Sequence, residues 1–231
     1  MRKRFYTRSI TFVLCLALLA ALASCHVSYT TLHEITKGDI TYTLEGAQDI
    51  PKRIAIKRGG YLIRLLDISS DASVKDTNGQ YGFYVEDANF DGKNDILVAT
   101  KKEGEICTYS VYLAENDGTD FTHSTLLSNL KNIRVRPEYQ AVFGFEQTKT
   151  DHGNGNYTVC DRATKYVWEN GILYPDVYAA LTYYSEQNRY CYSTAAYDTA
   201  TGTFDPSKDR WLTPEEYAST DFGFLYYYKE K

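Results

Sequence analysis

The sequence lacks the short motifs by which many enzymes are recognised. It contains no Gly-x-Ser-x-Gly turn for an activated serine, no phosphate-binding glycine loop and no dinucleotide-binding fingerprint. His152 follows Asp151, but an Asp-His pair without a third partner does not make a catalytic triad. We therefore expect the protein not to be an enzyme. A glycosidase-type pair of carboxylates stays open, because it depends on their spacing in three dimensions.

Cysteine is scarce, and its spacing excludes two kinds of chemistry. The five cysteines form no Cys-x-x-Cys pair and no Cys/His pattern, so neither a zinc site nor a thioredoxin-like site is predicted. In an oxidising compartment, two of Cys107, Cys160 and Cys191 could form a disulfide and leave one thiol. The sequence does not choose the pair.

Long apolar runs are absent except at the N-terminus. A basic start, with Arg2 and Arg8 at its ends, precedes an apolar run over residues 10–23 that is too short for a membrane span. Residues 22–25, Leu-Ala-Ser-Cys, resemble a bacterial lipobox. This predicts a signal peptide over residues 1–24, a lipid on Cys25 and a polar tether over residues 25–38. In bacterial lipoproteins an aspartate after the lipidated cysteine marks retention in the inner membrane, and here that residue is His26. The resemblance therefore implies an envelope protein anchored in the outer membrane and facing the periplasm, or its cell-surface equivalent.

Positive charge is also in deficit. The chain has 25 basic and 30 acidic residues, and four of the basic residues lie in the predicted signal peptide. The remaining chain therefore carries a formal charge of −9, which disfavours nucleic acid and anionic lipid as partners. An acidic surface suits a basic protein partner.

Helical periodicity is nearly absent, and short alternating segments dominate. Residues rich in strand formers recur between turn signals such as Gly59-Gly60 and the Asn-Asp-Gly stretch that ends at Gly118. Only residues 213–217 resemble a helix, with a threonine cap followed by proline and two glutamates. We predict a mainly β protein with little helix. A single antiparallel β domain, a β-sandwich or a propeller-like meander, would cover residues 39–231 and include a tyrosine-rich C-terminal part.

The most informative stretch is the loop over residues 87–95. It places side-chain oxygens at alternate positions, with a glycine where the chain must turn sharply. Calcium accepts six to eight oxygen ligands, and the main-chain carbonyl of Lys93 could add one to the side chains. Strand formers on both sides predict one calcium-binding strand-loop-strand unit, not an EF-hand, whose closing glutamate is missing. The predicted ligands are Asp87, Asn89, Asp91, Lys93 and Asp95. The alternative is a turn rich in Asp and Asn that holds no metal.

The order of these signals resembles a family of bacterial lipoproteins with FG-GAP-like, VCBS-type calcium loops. The resemblance covers residues 40–173, with the calcium loop and a later Tyr-Val-Trp segment over residues 166–168, and the lipobox precedes this range as it does in the family. The family includes immunity proteins that inhibit peptidoglycan hydrolases. The resemblance implies a calcium-stabilised envelope lipoprotein, held to the membrane by its lipid anchor, that binds such a hydrolase. It assigns no inhibitory residue.

Two further predictions concern binding surfaces. Residues 148–156 form a glycine-punctuated loop between strands, and we predict that Asp151, His152 and Asn154 contact a protein partner, because protruding loops commonly bind. The alternative is a hairpin tip without a partner. A different function, a glycan-binding module of the periplasm or cell surface, would use the C-terminal tyrosines, whose rings can stack on sugars.

Overall fold

Fifteen antiparallel strands form three sheets in the computed structural model, which describes residues 28–68, 82–104 and 106–223. The predicted signal peptide and Cys25 lie outside the described residues. The first sheet has the order β1-β2-β3-β4 and the second β5-β6-β7-β8. In the third, β14-β13-β12-β11-β10-β9 are neighbours, and β15 also pairs with β13. The strands are β1 (Thr30–Lys37), β2 (Ile40–Ala47), β3 (Ile50–Arg58), β4 (Tyr61–Asp67), β5 (Phe83–Glu86), β6 (Asp95–Glu103), β7 (Ile106–Glu115), β8 (Asp120–His123), β9 (Arg134–Arg136), β10 (Ala141–Gly153), β11 (Asn156–Glu169), β12 (Ile172–Tyr184), β13 (Arg189–Asp198), β14 (Thr203–Phe204) and β15 (Lys208–Leu212).

The second sheet lies between the other two, and strand β6 shows why. Ile96 and Val98 pack with first-sheet residues such as Tyr42. Leu97 and Ala99 point to the other face, where Val142 of the third sheet joins the same core. Alternate side chains of a strand point to opposite faces, so an unbroken apolar run is what a strand buried on both faces requires. The structure thus confirms the prediction of a single, mainly β, antiparallel domain.

The third sheet carries a separate core on its outer half. Phe145, Leu181 and Leu212 are buried there with Phe222. Helix α2 (Pro214–Ser219) covers this face and stacks Tyr217 on Tyr190, with ring centroids 4.1 Å apart. Its Thr213 cap is the predicted one: the threonine hydroxyl accepts the Glu216 N–H, and the Glu216 carboxylate accepts the Thr213 N–H.

The tether prediction for residues 25–38 was wrong over Thr30–Lys37, which form strand β1. β1 pairs with β2, and its Leu32 and Ile35 pack against the first core. The threonines that suggested a polar linker are also good strand formers. Leu32 and Ile35 are three positions apart, and the register shift between Thr31 and His33 allows both to face the same core.

Two local expectations also change. Helix α1 (Thr125–Ser128) is a helix in addition to the predicted one near residues 213–217; Ser124 caps it and its Leu127 is fully buried. The predicted loop over residues 148–156 is strand almost to its tip, and only Asn154 and Gly155 connect β10 to β11. No helix in the described part of the chain has the length and apolar character needed to cross a membrane.

Candidate functional site

The loop over residues 87–95 joins β5 to β6 and is organised by its own side chains. Both oxygens of Asp87 accept main-chain N–H groups, from Asp91 at 3.1 Å and from Gly92 at 2.8 Å. Asn89 also accepts the Asp91 N–H, at 3.2 Å. Gly92 has a φ of +84°, a left-handed conformation that glycine adopts without strain. The side chains of Asp87 and Asn89 are thereby turned into the loop.

Asp95 has a different role from the other acidic residues of the loop. It is fully buried, and its two oxygens each accept a main-chain N–H at 2.7 Å, from Ala88 and from Ala114. Burial raises the pKa of Asp95 to about 6, against the lowering effect of these two hydrogen bonds. The charges of Asp87 and Asp91 raise it further. Asp95 therefore fastens the loop to β7, in surroundings where burial disfavours the charged form of its carboxyl group.

Lys93 supplies a positive charge inside the loop. Its ammonium lies 2.7 Å from Asp91 Oδ2, and its main-chain N–H donates to Asp91 Oδ1 at 2.9 Å. Burial raises the pKa of the Asp91 carboxyl, but these hydrogen bonds outweigh it and the net pKa is lowered. Of the three carboxylates in the loop, that of Asp91 is thus neutralised by the Lys93 ammonium.

The donor set of the loop suits calcium by its chemistry, since it offers carboxylate and amide oxygens and a main-chain carbonyl. Within the described residues, however, no three His, Cys, Asp or Glu side chains converge as a metal site. The predicted ligands Asp87, Asn89 and Asp91 share the hydrogen bonds of one turn, while Asp95 faces main-chain donors of β7 and of the loop. The structure brings the five predicted residues into one loop and does not arrange them around one point.

A tryptophan joins this loop to the third sheet. The indole Nε1–H of Trp168, on β11, donates to the Ala88 carbonyl at 2.8 Å. Ala88 is itself fully buried in the core between the second and third sheets. The sequence contained no signal for this bond, because the two residues are eighty positions apart.

The second predicted site lies at the tip of the β10–β11 hairpin. Asn154 and Gly155 have φ values of +54° and +81°, which define a two-residue type I′ turn. Asp151 accepts the Gly153 N–H at 2.8 Å, so Asp151 and Asn154 shape the turn. His152 differs: its Nε2 lies 3.2 Å from the Thr158 hydroxyl, and its ring lines a groove.

This groove, of about 410 Å³, separates the hairpin tip from the β12–β13 turn. Thr158, Thr182 and Tyr184 line it from the sheet, and Ser185, Glu186 and Gln187 line it from the turn. We call it the tip groove. Of its residues, His152 was predicted as a partner contact, and Tyr184 is one of the C-terminal tyrosines considered for glycan binding. The others were missed because strand register, which a single sequence does not reveal, brings Thr158 opposite Tyr184.

No disulfide joins the three cysteines of the described chain. Cys160 and Cys191 both pair with Thr182, from opposite sides of β12, so a whole strand separates them. Neighbouring strands lie nearly 5 Å apart, and two strand spacings exceed the reach of a disulfide. Cys107 lies in a different core.

No protein-family model and no curated protein matches the chain. Among solved structures, it is similar to a protein described as a Xanthomonas type IV secretion system related protein, with 15% identity and a TM-score of 0.47. The match covers 79% of this chain and 97% of that one. This degree of similarity establishes neither a common fold nor a common function.

Proposed function

We propose that this protein is a lipid-anchored protein of the bacterial cell envelope that binds and inhibits a peptidoglycan hydrolase, as an immunity protein does. The lipobox-like residues 22–25 support the anchor, and the order of sequence motifs supports the family. The observation that carries partner binding is the β10–β11 hairpin. It places a chemically varied tip on two long paired strands.

The hairpin has the form that a binding element requires. The inner residues of β10, from Ala141 to Phe145, are buried, whereas those from Gln147 to Gly153 are exposed. Thirteen residues of β10 and fourteen of β11 hold the tip in one orientation. A rigid projection loses little conformational freedom on binding. His152 is the side chain at the tip that does not shape the turn, and we propose that it contacts the hydrolase.

The charge of the chain favours the same class of partner. After removal of the predicted signal peptide the formal charge is −9, which attracts a basic protein and speeds its association at low ionic strength. The proposed inhibitor has no enzymatic activity, because inhibition requires binding to the hydrolase and no catalysis.

Calcium belongs to this proposal as a stabilising ion. Asp87, Asn89, Asp91 and Asp95, with the Lys93 carbonyl, would hold it, and its chemistry there is to neutralise the loop carboxylates. Burial is the main cause of the raised pKa of Asp95, and the charges of Asp87 and Asp91 add to it, so a cation beside the loop would favour the ionised carboxylate. Binding of the ion requires Asp91 to exchange the Lys93 ammonium for the cation.

The test is capture of hydrolases from envelope extract on the immobilised protein, followed by an assay of peptidoglycan cleavage with the captured enzyme. In the test variant, Asn-Gly replaces residues 151–157, which keeps Thr150 opposite Thr158 and so preserves the register of the hairpin. We expect the original protein to inhibit cleavage and the variant to lose at least tenfold in affinity.

A matched control changes a turn on the first sheet. Gly59 and Gly60 connect β3 to β4 with φ values of +55° and +86°, so the substitution Gly59→Asn keeps the turn type. This variant should inhibit as the original does. Failure of the original protein to protect peptidoglycan would reject hydrolase inhibition. Full inhibition by the shortened but folded variant would reject the hairpin as the contact.

A further inference from the structure

The tip groove has an aromatic floor. Tyr184 lines it, and the ring of Trp211 lies beside Tyr184, with centroids 5.1 Å apart and an angle of 42° between the rings. Trp211, on β15, pairs in register with Cys191, so the two rings meet above that buried cysteine. Trp211 remains 43% exposed. An indole that could have been buried in a core instead extends a ring surface at the side of the groove.

The walls of the groove are rich in neutral hydrogen-bonding groups. Thr158, Thr182 and Ser185 contribute hydroxyls, and Gln187 contributes an amide. Each can donate and accept. The Glu186 carboxylate adds an acceptor on the exposed turn. Among the described residues that line the groove there is no lysine or arginine.

We propose that the tip groove binds a neutral oligosaccharide. A sugar ring has an apolar face, which packs on aromatic rings, and a rim of hydroxyls, which both donate and accept hydrogen bonds. Tyr184 provides the first surface, which the neighbouring Trp211 ring extends beyond the groove lining. The wall hydroxyls, Gln187 and Glu186 provide the second. The volume lies within the usual range for small-ligand sites and accommodates roughly two sugar rings.

The charge of the groove decides between ligand classes. A phosphate or another anion would meet the Glu186 carboxylate, and the described lining offers it no lysine or arginine. Arg189 is not a lining residue: its guanidinium lies over the Trp211 ring, 5.7 Å from the centroid. A wholly apolar ligand would cover polar groups of the wall, such as the Thr182 hydroxyl, without offering them a hydrogen bond, which costs free energy. A neutral, hydroxyl-rich ligand avoids both costs. Because the groove is open and shallow, we expect weak binding, with a dissociation constant of about 1 mM.

The experiment titrates the purified full-length chain with chitotriose, cellotriose and maltotriose, and follows tryptophan fluorescence and saturation-transfer NMR of the sugar. Trp211 is the reporter, and Trp211→Phe identifies its signal against that of Trp168. We expect saturable quenching by at least one trisaccharide. Glu186→Ala and Gln187→Ala change exposed turn residues and should each weaken binding several-fold, while Tyr184→Ala should abolish it. Tyr61→Ala, an 82% exposed tyrosine on β4, is the control and should bind normally.

Two results would overturn the proposal. One is no saturable response to any of the three sugars. The other is a response that the turn variants Glu186→Ala and Gln187→Ala leave unchanged, since these substitutions do not threaten the fold. The inference does not rest on hydrolase inhibition, and no hydrolase is present in the titration, so the two proposals can fail separately.

Discussion

At the scale of single residues, Asp95 combines full burial, a charge and two main-chain hydrogen bonds. A carboxylate is the side chain that accepts at two oxygens from donors on opposite sides. An amide of the same shape offers one acceptor and places an NH₂ group against the other N–H. Asp95 is thus required by the fold, whether or not a metal binds beside it.

Asp95→Asn should lower the free energy of unfolding by about 1–3 kcal/mol, the cost of leaving a buried donor without its partner. Urea denaturation in EDTA measures this without any contribution from metal. Asp205→Asn is the control, because Asp205 is exposed and lies directly after β14. Equal stability of Asp95→Asn and the original protein would show that these hydrogen bonds do not matter.

The cysteines give a second test at this scale. Cys160 is half-buried on the sheet surface, whereas Cys107 and Cys191 are buried. An alkylating reagent should modify one thiol in the folded protein and three after denaturation in the described chain, because reaction requires access to the sulfur. Peptide mass spectrometry identifies the site. Rapid modification of Cys191 in the native state would contradict the contact of Trp211 with Tyr184 above it.

Local sequence patterns predict some of these residues and not others. The spacing of oxygen side chains identified the loop, because that pattern is local. Asp95 and Asp87 were both predicted to be calcium ligands, because a sequence does not distinguish a carboxylate that faces a cation from one that faces main-chain donors. The Trp168–Ala88 bond and the Tyr184–Trp211 contact depend on how distant strands meet, and no local pattern encodes either.

At the scale of elements, the β10–β11 hairpin differs most from its prediction. Glycines and polar residues over 148–156 suggested a loop, yet Thr148, Lys149 and Thr150 continue β10 because β11 pairs with them. Pairing supplied the structure that composition alone did not favour. By contrast, α2 was predictable, since its cap and its proline are local signals with a direct physical cause.

The turn of this hairpin can be tested with Gly155. At a φ of +81° an alanine is strained by about 1–2 kcal/mol, although no atom lies within 4 Å of the position of its Cβ. Gly155→Ala should therefore speed hydrogen exchange at the tip amides and leave the global unfolding midpoint nearly unchanged, because the outer half of β10 is exposed. Gly155→Asn should exchange more slowly than Gly155→Ala, since asparagine tolerates this conformation better. Equal exchange in both variants would contradict a type I′ turn.

At the scale of the whole molecule, the loop over residues 87–95 is bound to more than one sheet. Asp95 fastens it to β7, and Trp168 fastens it to the third sheet. We therefore expect the loop to become disordered if its contact with either sheet is lost. The class of fold was predictable from alternation and turn signals, but the stacking of three sheets was not, because nothing in a single sequence tells which apolar faces meet.

If the proposed calcium ion binds, it should stabilise the entire domain. At a concentration one hundred times its dissociation constant, the ion contributes about 2.7 kcal/mol. For a chain of this size that raises the melting temperature by roughly 5–10 °C. Calorimetry in calcium and in EDTA measures the difference. Asp91→Ala should remove the response and Asp205→Ala should keep it, and identical curves in calcium and EDTA would reject the metal.

The meander order of the three sheets has a consequence for how the chain is made. Strands β1 to β4 are consecutive neighbours, and so are β5 to β8, so these pairings need only nearby sequence and can form quickly. Leu97 and Ala99 of the second sheet, however, belong to a core that also contains Val142, so part of their cover is missing until that residue has been synthesised. Until then the nascent chain exposes an apolar face. A chaperone that binds this face during that interval would protect the chain from aggregation and so raise the yield of folded protein.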